Sequence, residues 1–153
     1  MAGAAHPHPI AVCSYCGCRA ITVIGRLSDE RVEIINATGA LRRAALAEDG
    51  DAAATAGKVL TSLLGAHTTG EERGLFAELR LDPEFADHID VLCAEHREIN
   101  AHLARLTNRD STGVVALETL LRRHIDMEEN GMFPAAAVAL DGQAWERIEQ
   151  RAP

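Results

Sequence analysis

Residues 63–76 read LLGAHTTGEERGLF, and residues 120–133 read LLRRHIDMEENGMF. Both leucines, a His, two Glu, a Gly and a Phe recur in register. A repeat of this kind marks two copies of one supersecondary unit, which must pack together to bury their apolar faces. Within each copy the His and the first Glu are four residues apart, so on a helix they share a face one turn apart. The leucines before each His lie on or near that face and direct it inward. The repeat therefore predicts two helices that carry His67, Glu71, His124 and Glu128 into one interior. Buried carboxylates are costly unless a cation answers them. Imidazole and carboxylate together suit iron, manganese or zinc.

The rest of the 153-residue chain agrees with an all-α fold. Apolar residues make up 47 %, mostly Ala, Leu, Val and Ile, while aromatics are 3 %. Strands favour aromatic and β-branched residues, so this mix suits helix-on-helix packing. Ser28 and Asp29 are good N-cap residues, and apolar positions recur at helical spacing from Val32 onward. The second helix is expected over about 52–80, the third over 83–107 and the fourth over 114–133, kinked or stopped by Pro134. A short last helix over 144–150 would use Trp145 as an anchor. Four long helices with short connections make an up-down four-helix bundle the economical fold. The expected division is a tail at 1–27, the bundle at 28–140 and a short C-terminal helix and tail at 141–153.

The third helix should add a ligand at the same depth. With the turn between the third and fourth helices near Asp110, His96 and His124 each lie fourteen residues from it, so an antiparallel hairpin sets them at one level. His96 is the third ligand by this geometry, whereas His88 is two turns away and His102 points elsewhere. The same test on the first hairpin sets Arg31 opposite His67. Glu72 and Glu129 read at least in part as ordinary helix residues on a solvated face. Cys93 reads as a small buried side chain.

Net charge is −8, with no basic cluster, which argues against nucleic acid and anionic membranes as partners. No apolar run reaches the length of a membrane span or a signal peptide, and the expected location is cytoplasmic. Cys13, Cys16 and Cys18 would then be thiols or metal ligands rather than disulfides. Their spacing leaves three readings open: a second metal site with His6 or His8, a redox-active set, or inert thiols.

Three clusters together resemble the hemerythrin-like, or HHE cation-binding, family. They are His67-x-x-x-Glu71-Glu72 with Leu75-Phe76, Glu95-His96-Arg97, and His124-x-x-x-Glu128-Glu129 with Met132-Phe133-Pro134. The resemblance covers about residues 28–140. It implies a carboxylate-bridged di-iron centre in a four-helix bundle, with His67, His96 and His124 as terminal ligands. Glu71 and Glu128 would be the bridges, with Glu129 as a substitute for Glu128. Such proteins bind or respond to oxygen, nitric oxide, peroxide or iron.

Two departures bear on that expectation. The family usually has a His on the first helix, where this chain has Arg31, and Arg cannot ligate a metal because it stays protonated. A second His on the third helix is replaced by Asn100. Three outcomes follow: one metal only, a second metal completed by Glu33, Asn100, His88 or water, or Arg31 neutralising the carboxylates in place of a metal. The first functional expectation is an iron protein, with two ions or one, that binds or reacts with a small diatomic or peroxide in sensing or stress protection. The alternative is a non-catalytic regulatory module with zinc, one metal or none. No residue stands out as a catalytic proton donor, and no protein partner is indicated.

Overall fold

A computed structural model describes residues 17–106 and 110–152. A short 3-10 turn (Cys18–Ala20) leads into α1 (Thr22–Leu46). Helix α2 (Gly50–Glu71) runs on through a π-turn (Glu72–Phe76) and a last turn (Ala77–Leu79). Helix α3 is Pro83–Arg105. Helix α4 (Ser111–Met127) likewise continues through a π-turn (Glu128–Met132) into Phe133–Ala139, and α5 is Gly142–Arg151. No strand occurs among the described residues. Each of α1 to α4 packs on the next and α4 closes back onto α1, so short connections yield an antiparallel, up-down bundle.

An Asp starts each of α2 to α5. Asp49, Asp82, Asp110 and Asp141 accept backbone N–H bonds from Ala52, Glu84, Gly113 and Ala144. These bonds satisfy amides that a helix start leaves without partners.

Two sequence expectations need correction. Helix α1 begins at Thr22, so Ser28 is no cap: it is buried inside α1 and its hydroxyl donates to Glu129 at 2.8 Å. Pro134 does not stop α4, because the wider π-turn ends just before it and the helix resumes beyond the missing N–H.

The core is divided. One apolar cluster holds Leu27, Phe76, Leu92, Phe133 and Ile148. The other holds Ile34, Leu64, Ile99, Leu117 and Leu121. Arg31, His67, Glu71, His96, His124 and Glu128 fall between them along the four helices, and all six are buried. Helix α5 packs on the π-turn of α2 at the first cluster. Gly74 permits that approach, since a Cβ there would lie 3.0 Å from Ala152 Cβ and 3.2 Å from Ile148 Cγ2. Glu78 fastens α5 by pairing with Arg147 and, at 3.0 Å, with Arg151. Among the described residues, no helix is long and apolar enough to cross a membrane.

Candidate metal centre

Three imidazoles enter the polar layer, and a carboxylate holds each from behind. His67 Nδ1 lies 2.7 Å from Glu30 Oε2, His96 Nδ1 lies 2.8 Å from Glu72 Oε1, and His124 Nδ1 lies 2.8 Å from Glu95 Oε2. A carboxylate only accepts, so each Nδ1 carries the proton and donates. In the neutral ring Nε2 then keeps its lone pair. This is how metal-binding histidines are oriented and made more basic.

The inward atoms meet. One ligand atom each from Glu71, His96, His124 and Glu128 lies within 4.8 Å of the others, and all four residues are buried. His96 Nε2 is 3.4 Å from Glu71 Oε2 and 4.0 Å from Glu128 Oε1, and His124 Nε2 is 3.2 Å from Glu128 Oε1. None of these four atoms has a hydrogen-bond partner. Buried polar atoms are almost always satisfied, so four that converge without partners fit a bound cation. The donor set of two nitrogens and two oxygens suits a first-row transition metal or zinc. His67 Nε2 lies 3.7 Å from the same Glu71 Oε2, at the edge of this group.

The remaining carboxylate oxygens are already taken. Arg31 Nη2 donates to Glu71 Oε1 at 2.7 Å and to Glu128 Oε2 at 2.6 Å. Its Nη1 donates to Glu129 Oε1 at 3.1 Å, an oxygen that also accepts from Ser28. The guanidinium carbon stands 4.1 Å from the centre of the Phe133 ring, while Phe76 stacks on His96 with centroids 5.6 Å apart. Arg31 is thus the counterpart of His96 in the repeated architecture. Each follows a Glu that holds a His, each meets the second Glu of a repeat, and each lies on its Phe.

These charges shape one another. Burial opposes the charge on Arg31, but Glu128, Glu71 and Glu129 outweigh it and hold the pKa above the ordinary value. Burial likewise works against Glu71, yet Arg31, His67 and His96 bring it well below the carboxylate range. His96 is raised despite burial, chiefly by its contact with Glu71. His124 is pushed up to about 9 against the pull of burial, by Glu128 and Glu95.

Beside the four atoms is a cavity of about 10 Å³, lined by Ile34, Leu64, Ile99, Leu121 and Ile125 among others. That is about the room one water-sized molecule needs. Thr68 also borders it, but its hydroxyl is committed to the Leu64 carbonyl at 2.8 Å.

Other residues singled out in the sequence stand apart. Glu33, His88 and Asn100 are exposed and outside the cluster. His102 bonds the Gly113 carbonyl at 3.0 Å, near the turn between α3 and α4. Cys93 is buried beside Arg80, and burial pushes its thiol up. Cys13 and Cys16 lie outside the described residues. Cys18 is buried and disulfide-bonded, where the sequence reading favoured a thiol or a metal ligand over a disulfide; a disulfide is also the oxidised form of the redox-active set among the three readings. Glu129 is buried rather than solvated, because Arg31 and Ser28 face it. Glu72 stays partly exposed yet holds His96. Glu30 and Glu95 were not assigned from sequence, although each directly precedes a residue of the site, Arg31 or His96.

No curated protein and no solved structure matches the chain. The profile of the hemerythrin HHE cation binding domain matches residues 22–136, a span that holds α1 to α4 and every residue of the centre. The chain belongs to the hemerythrin HHE cation-binding family.

Proposed function

We propose that the protein binds iron between Glu71, His96, His124 and Glu128, and that the iron takes up a small diatomic or peroxide ligand for sensing or stress protection. The observation that carries this reading is the convergence of four buried, unpartnered ligand atoms within 4.8 Å. His67 stands close enough to Glu71 to join as a further nitrogen donor.

The chain's own residues divide the work. Glu72 and Glu95 aim the rings of His96 and His124, and Glu30 aims that of His67. Phe76 fixes the plane of His96 by stacking. Ile34, Leu64, Ile99, Leu121 and Ile125 keep the adjoining space small and apolar, which favours an uncharged diatomic over an anion. Iron would supply redox chemistry and an exchangeable coordination position.

The regulatory-module reading draws on Arg31, which already neutralises part of the carboxylate charge. The two readings separate on metal content and an absorption spectrum of protein purified without added metal, before and after nitric oxide. Iron with a spectrum altered by nitric oxide supports the first. Zinc, which is d¹⁰ and spectroscopically silent, supports the second.

A further inference from the structure

The centre is asymmetric in a way that counts its metals. A carboxylate that bridges two metals side by side gives one oxygen to each. Here Glu71 Oε2 and Glu128 Oε1 face the two histidines, while Glu71 Oε1 and Glu128 Oε2 both bind Arg31 Nη2. We propose, resting on the metal-binding reading above, that this protein takes one divalent ion and that Arg31 is a built-in cation filling the second metal position.

Geometry supports this first. One guanidinium nitrogen within 2.7 Å of an oxygen from each bridge leaves no gap between them for an ion. Arg31 is also held against displacement. It is 3 % exposed, it donates to Glu129 as well, and Phe133 lies against its face. The planar, forked guanidinium meets several carboxylates at once and stacks on an aromatic ring, as an ammonium would not.

Charge supports it independently. Glu71, Glu128 and Glu129 bring three negative charges into a layer enclosed by two apolar clusters, and Arg31 returns one positive charge. The balance of two negative charges is cancelled by a single divalent ion. Two such ions beside Arg31 would leave an uncompensated positive surplus in a low-dielectric interior, which is strongly unfavourable. The outer carboxylates do not absorb it: Glu95 is paired with Arg123, and Glu30 and Glu72 lie at the margin. Glu33, His88 and Asn100, the candidates for completing a second ion's shell, are exposed.

The test is a metal count on the full-length protein. The metal-free chain is titrated with Co(II) and the equivalents bound are read from the visible absorption. The ferric form is examined by EPR, where a lone ferric ion of half-integer spin gives a signal and a coupled diferric pair is silent. One equivalent and an EPR signal are expected. Two equivalents and a silent spectrum overturn the one-ion proposal but leave the metal reading standing. No bound ion overturns the metal reading itself. Arg31→His restores a ligand at that position, and its folded form is expected to rise to two equivalents, whereas Arg31→Lys keeps the charge and stays at one. A folded Arg31→His that still binds one ion means that Arg31 is not what excludes the second. If Arg31→His does not fold, the wild-type count and its EPR spectrum still decide.

Discussion

The Arg31 guanidinium rests on the face of Phe133, 4.1 Å from the ring centre, where the other half of the bundle stacks His96 on Phe76. A planar cation thus takes an imidazole's place without rebuilding the walls around it. The cost of removing it follows directly. Arg31→Ala would leave Glu71, Glu128 and Glu129 without their shared partner, and breaking a buried ion pair in this way costs about 3–5 kcal/mol. Urea unfolding of the metal-free protein should register that loss. Added divalent metal should recover part of it.

The carboxylates behind the histidines should govern affinity. Glu95→Gln keeps the size of the side chain but weakens its acceptor for His124 Nδ1–H and its pairing with Arg123. Losses of about 10–100-fold in metal affinity are typical when such a partner is removed. Glu72→Gln should fall in the same range through His96. Competition with a chelator of known affinity measures both, and an unchanged affinity in both variants would mean that the rings need no orienting.

The apolar cavity makes a separate prediction. Ile99 lines it without offering a metal ligand. Ile99→Phe should fill it, at about 1–3 kcal/mol of overpacking strain. Metal content should stay as in the wild type while nitric oxide association slows. Equal slowing in an exposed control such as Val115→Phe would argue against entry through this space.

Acid should loosen α5 before the rest. Glu78 sits below its ordinary value of 4.5, first because Arg147 hydrogen-bonds it and further through Arg151, with burial opposing. A lowered folded pKa contributes stability that is present above the unfolded value and fades as pH falls through the folded one. Trp145 is the only tryptophan and lies on α5, so its fluorescence reports the undocking. A change is expected as pH falls from 4.5 downward. Glu78→Gln should show the loosened signal already at neutral pH and lose that dependence.

Much of this was legible because helical spacing and a repeat convert directly into geometry. The His67–Glu71 and His124–Glu128 spacings place both pairs on inward faces, and counting from Asp110 places His96 beside His124. Counting from Gly50 places Arg31 at the same depth. What spacing could not supply is which oxygen of Glu71 meets which partner, because that depends on two helices distant in sequence. Glu129 illustrates the limit. A residue directly after an inward one should point away on a regular α-helix, but the π-turn starting at Glu128 turns both inward. Glu30 and Glu95 were hidden for a different reason. An acid on a helix looks like solvated surface until the ring it holds is in place, whether it ends partly exposed like Glu30 or buried like Glu95. Recognising Glu30-Arg31 and Glu95-His96 as counterparts would have found them.

The two π-turns begin within one residue of the same place in the repeat, at Glu72 and Glu128. Each is a helix carrying one residue more than its pitch accounts for. The wider turn absorbs that residue where it stands, so the helix beyond keeps the phase it would have without it. Deleting a single residue from the turn at Glu128 would therefore restore regular winding and leave Phe133 and Ala136 in place. The loss would fall inside the turn, because on a regular helix two successive residues cannot both face inward. One of Glu128 and Glu129 would turn outward, and Arg31 would lose one of its three carboxylates. The same deletion in the middle of α4, where no wider turn absorbs it, would rotate everything beyond by about 100°.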